Sequence, residues 1–78
     1  MTEPTWVLSN SKEYFNFCRL RESIPLDAEL LNDVDSLKGR RGPATLVVLG
    51  AARHDYLQNR EQVRQYCMTH NIKMRIRF

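Results

Sequence analysis

The sequence predicts a small α/β protein: a doubly wound, four-stranded parallel sheet in the order 2-1-3-4, folded as one domain over residues 1–78. Three observations predict it. The stretch TLVVL, residues 45–49, is β-branched and apolar on both faces, as a central parallel strand covered on both sides requires. Strand-like and helix-like segments alternate in a β-α-β-turn-β-α-β plan. The helical turn VDSLK stands before TLVVL and acts as a crossover rather than a hairpin loop. A ferredoxin-like βαββαβ sheet, with strands two and three as a hairpin and both helices on one face, is the alternative. That arrangement would leave one face of TLVVL in water.

The elements follow in order. TWVL, Thr5 to Leu8, is the first strand, and the polar Ser9, Asn10 and Ser11 end it. Asn10 and Glu13 fit a capping box, so a helix is expected to about Arg21, with Tyr14, Phe17 and Cys18 as its buried stripe. Pro25 stops any continuation. Ala28 to Leu31 is a short second strand. Asp33 caps the turn VDSLK and Gly39 ends it. KGRRGP is a basic loop before TLVVL, and Gly50 closes that strand. AARHDYLQ is expected as the longest loop. Asn59 and Gln62 repeat the capping-box pattern before a second helix whose stripe is Val63, Tyr66 and Cys67, with Asn71 as its C-terminal cap. IKMRIRF forms the last strand.

In a 2-1-3-4 sheet this last strand is an edge. The second helix should cover Ile72, Met74, Ile76 and Phe78, while the first helix lies too far away to cover the other face. Lys73, Arg75 and Arg77 are therefore expected in water, where their charge also discourages edge-to-edge pairing.

The totals limit the function classes. No apolar run approaches the roughly 18 residues of a membrane span. MTEPTWVLSN lacks the basic-then-apolar order of a secretory leader, so a cytoplasmic protein without membrane contact is expected. Cys18 and Cys67 form no metal spacing and read as reduced thiols within helix stripes. His54 and His70 belong to no CxxC or HExxH pattern, so no metal and no cofactor are expected. Charge is unevenly spread. Residues 1–37 carry three cations against seven carboxylates, and residues 38–78 carry nine against two. A basic surface facing an acidic partner or phosphates follows.

Three functions are weighed. The first is a non-enzymatic interaction protein that meets a larger protein partner. Its contact residues would be Arg40, Arg41, Lys73, Arg75 and Arg77, with Arg53, Tyr56 and Leu57 from the 53–57 loop. Arg60 and Arg64 are the other cations able to extend such a stripe. The second is nucleic-acid binding through the same cations, for which no aromatic interleaving is visible in the central strands. The third is a phosphate or nucleotide site at the switch point of strands one and three, lined by Ser9, Asn10, Ser11, Gly50 and His54. His54 beside Asp55 lacks the nucleophile elbow that would make it a catalytic pair, and no catalytic residue is assigned. Self-association of so small a core is left open.

TWVLSNSKEYFNFCRL, DSLKGRRGPATLVVLG and the terminal IKMRIRF together resemble small phage-encoded Rossmann-like accessory proteins of actinobacterial phages. In those proteins an sLkGrr turn precedes a VVvlG strand. The resemblance spans most of the chain. It implies a non-enzymatic protein of host takeover or defence evasion that binds, and modulates or inhibits, a host macromolecule. It carries no functional residue to any position here.

Overall fold

Leu46, Val47, Val48 and Leu49 are all buried in succession, which only a strand covered on both faces permits. The structure, a computed structural model, describes residues 3–77; Phe78, expected on the apolar side of the last strand, lies outside the described residues. The elements are β1 (Thr5–Leu8), α1 (Lys12–Arg21), β2 (Glu29–Leu31), a 3-10 turn (Val34–Leu37), β3 (Ala44–Leu49), a second 3-10 turn (Gly50–Ala52), α2 (Arg53–Gln58), α3 (Arg60–Thr69) and β4 (Ile72–Arg77). The sheet order is β2-β1-β3-β4 and every pairing is parallel. The doubly wound expectation therefore holds. β2 and β3 do not pair, which removes the ferredoxin-like alternative.

Two separate cores line the two faces. On one face, Trp6, Leu8, Leu46, Val48 and Ile72 pack with Leu37 of the first 3-10 turn, Tyr56 of α2, and Val63 and Cys67 of α3. On the other, Val7, Val47 and Leu49 pack with Phe15 and Cys18 of α1 and with Ile24 and Ala28. Each fully buried Val or Leu contributes about 1.5–3 kcal/mol. The coverage is unequal. The first face is roofed from β2 to β4, whereas α1 reaches only as far as β3.

Several local expectations are corrected. The N-cap of α1 is Ser11, not Asn10; its Oγ accepts the Tyr14 N–H at 3.1 Å. The buried residues of α1 are Phe15 and Cys18, while Phe17 is 63% exposed and Tyr14 is also exposed. β2 starts one residue later than expected, at Glu29.

The expected loop AARHDYLQ is a 3-10 turn followed by α2, because Ala52 and Tyr56 are spaced to turn inward together. Asn59 breaks the helix there, at φ −117 and ψ 20, and holds the N-cap position of α3 as expected, but its side chain makes no capping hydrogen bond. Its side-chain amide instead donates back to Asp55 O at 2.9 Å and to Asp55 Oδ1 at 3.2 Å. Asp33 caps the 3-10 turn as expected, accepting the Ser36 N–H at 2.9 Å. Asn71 takes up the left-handed backbone after α3, at φ 59, a conformation Asn tolerates.

Cover over β4 thins along its length. Ile72 is buried, Met74 half-buried, and Ile76 is 39% exposed rather than roofed by the second long helix. The right-handed twist of a sheet carries the far end of an edge strand out from beneath its helix.

Candidate functional site

The parallel register sets Lys73 beside Thr45, Arg75 beside Val47 and Arg77 beside Leu49. Side chains in register share a face, so the three cations lie on the side that α1 covers. Val47 and Leu49 are sealed beneath α1, but the strand next to them is not. Lys73, Arg75 and Arg77 are all exposed, as the sequence predicts for an edge strand on the far side of the sheet. Among the described residues Lys73 and Arg75 have no ion-pair partner. Arg77 Nε lies 3.6 Å from Glu22 Oε2, at the end of α1.

Between α1 and the end of β4 runs an open, largely polar cleft of about 360 Å³ lined by Tyr14, Cys18, Arg21, Glu22, Ile76 and Arg77. Phe17 adjoins it. Its ring centroid is 6.4 Å from that of Tyr14, and the Arg21 guanidinium lies over it at 5.8 Å. A hydrogen bond with Cys18 and the proximity of that thiol raise the Tyr14 phenol above its ordinary pKa.

Sequence reasoning placed Tyr14 and Phe17 in the core and passed over Arg21 and Glu22. The available signal was spacing. Tyr14, Phe17 and Arg21 follow at i, i+3 and i+7, and a stripe that ends in Arg marks the flank of a helix rather than its buried floor.

The other cations do not join this surface. Arg40 is held by its own neighbourhood: its two terminal nitrogens meet both carboxylate oxygens of Glu29, and its Nε donates to Ser36 O at 2.9 Å. The guanidinium also lies over the Trp6 ring at 5.3 Å. Its charge is paired with Glu29 at the β2 side of the sheet, away from the cations of β4. Arg41 is exposed where β3 and β4 begin, while Arg53 and Leu57 are exposed on α2, beyond the opposite ends of the strands. Tyr56, expected among the contact residues, is 6% exposed and belongs to the core.

The switch point is occupied by structural hydrogen bonds. Ser9 is fully buried. Its N–H donates to Leu31 O at 3.0 Å, and its Oγ donates to Ser11 O at 2.9 Å while accepting the Ser11 N–H at 3.2 Å. Asp55 Oδ2 accepts the Val34 N–H at 3.0 Å, tying the crossover to α2. Asn10 and His54 are exposed, and Gly50 opens the second 3-10 turn. The Ser9 and Ser11 hydroxyls expected to hold an anion are thus turned to the backbone.

A smaller cleft of about 90 Å³, between the first 3-10 turn and α3, is lined by Val34, Leu37, Val63 and Tyr66 among others. It has room for a few waters only. Cys18 and Cys67 are free and buried, and desolvation pushes the Cys67 thiol up to about 11. Among the described residues no group of three or more His, Cys, Asp or Glu is placed to hold a metal ion, and no helix is long and apolar enough to cross a membrane.

Comparison with protein-family models, with curated proteins and with solved structures finds no match, so the reading of this surface rests on its geometry.

Proposed function

We propose that this is a non-catalytic interaction protein that docks on an anionic surface of a larger macromolecule through the cationic face of β4. The observation that carries the reading is the row Lys73, Arg75 and Arg77, on the α1 side of the sheet but beyond the helix's reach, where among the described residues only Arg77 is in an ion pair. Guarding a sheet edge against aggregation needs charge there, but it does not need a cleft with exposed rings beside the charge. The resemblance to small phage accessory proteins adds the biological setting: modulation or inhibition of a host macromolecule in the cytoplasm. The absence of chemistry in this reading is supported by the fate of the polar groups at the switch point. Ser9 and Asp55 spend their hydrogen bonds on the backbone, and the high pKa of Cys67 keeps it a thiol rather than the thiolate a nucleophile requires.

The test is affinity capture from cells that express the protein, with two triple- or double-substituted controls. Lys73→Ser, Arg75→Ser and Arg77→Ser together remove the β4 charge; Arg60→Ser with Arg64→Ser remove exposed charge from α3, on the opposite face. The reading expects the dominant partner to be lost with the first set and retained with the second. Equal loss with both would reduce the effect to net charge.

A further inference from the structure

The surface from β4 across to α1 carries two kinds of group, and the cleft between them takes Arg77 from the strand and Tyr14 from the helix. Along the strand, alternate cations stand about 7 Å apart, all on one face. Across the cleft from Arg77, Tyr14 lines the α1 side, and Phe17, beside Tyr14 and outside the lining, exposes its ring with Arg21 over it. Protein partners place their strongest contacts in well-packed, fully desolvated pockets, whereas this cleft is open and largely polar. A single-stranded nucleic acid uses both kinds of group at once: its phosphates meet the cations and its unstacked bases lie on aromatic faces. A duplex keeps its bases stacked inside and has none to offer the rings.

We infer that the anionic macromolecule is a single-stranded nucleic acid, its backbone following Lys73, Arg75 and Arg77 and a base stacking on Phe17 or Tyr14. This rests on β4 being the binding face and deepens it. The rings come from α1 and the cations from β4, more than fifty residues apart in the chain, which is why no aromatic interleaving is visible in any one segment. Glu22 is the opposing charge in the cleft, and its pairing with Arg77 leaves Lys73 and Arg75 as the cations of β4 without an ion pair among the described residues.

The experiment is fluorescence anisotropy with a labelled oligo(dT) of about 12 nucleotides and a duplex of the same length, across a salt series, with thermal melts to show that each variant is folded. The single strand is expected to bind more tightly than the duplex. With Lys73 and Arg75 each neutralising a phosphate and Arg77 held by Glu22, log K should fall against log[salt] with a slope of about −1.4. Phe17→Ala should weaken single-strand binding about tenfold without changing that slope, and Tyr14→Phe, which keeps a ring, should leave it near the starting value. The triple Lys73/Arg75/Arg77→Ser variant should abolish binding.

No single-strand binding at low salt overturns the inference. So does duplex binding of equal strength that ignores Phe17→Ala. If the oligonucleotide fails while an acidic protein is captured and then lost with the triple variant, the nucleic-acid inference falls and the β4 face stands. If the triple variant changes no interaction, both fall.

Discussion

Glu22 Oε2 lies 3.6 Å from Arg77 Nε, so the residue that caps the C-terminus of α1 meets the β4 edge that the helix itself does not cover. The pair closes one end of the cleft and places a carboxylate where an anionic partner would run. Glu22→Gln should therefore raise affinity for a polyanion, by about two- to fivefold, because it frees Arg77 and removes the repulsion. The cost in stability should stay below about 1 kcal/mol, since both side chains are partly solvated. Binding isotherms and urea melts of the same variant measure the two effects separately.

Gly42 has no room for a side chain. A Cβ built there would sit 1.8 Å from Asn71 O and 2.8 Å from His70 O, both backbone atoms. The Gly42 N–H also donates to His70 O at 2.7 Å, which joins the segment before β3 to the turn before β4. Gly42→Ala should cost more than about 2 kcal/mol in a urea melt, and it should disturb the register that aligns Val47 with Arg75.

Asp55 is a structural clamp. Asp55→Ala leaves the Val34 N–H without its partner and should cost about 1–3 kcal/mol. Asp55→Asn keeps an acceptor oxygen and should cost less. Neither change should alter partner binding at saturating stability, whereas His54→Ala should alter neither stability nor binding.

Cys67 gives the pH dependence. Burial raises its folded pKa from 9.0 to about 11. Between those values the unfolded chain has lost a proton that the folded chain retains, so the contribution is complete below pH 9 and stability falls as pH rises toward 11. Denaturant midpoints over this range should decline in the native chain, and the decline should shrink in Cys67→Ala. For the same reason, thiol reagents at pH 8 should label Cys67 only after denaturation.

Much of the fold was legible because it is written locally. TLVVL announces a strand covered on both sides, and Asp33 with Ser36 announces a capped turn. Those two segments decide between the parallel sheet and the hairpin alternative. The corrections fall where two local patterns are nearly equal or where a partner is distant. Tyr14/Phe17/Cys18 and Phe15/Cys18 are both credible helix stripes, and only the sheet beneath α1 selects the second. Asn59 fits a cap by spacing, yet its amide turns back to Asp55. Arg40 reads as a loose cation until Glu29, eleven residues earlier, is brought alongside it by β2. The candidate site was half legible. The cations of β4 follow from alternation along one strand, while the rings facing them depend on where α1 comes to rest.

The most direct measurement is an amide NMR titration of the isotope-labelled protein with a short oligo(dT). Perturbations should concentrate on residues 14–22 and 73–77, on the side of the sheet that α1 only half covers. Shifts gathered instead around Arg41, around Arg53 and Leu57, or along α3 at Arg60 and Arg64, with β4 unmoved, would contradict the assignment of this face.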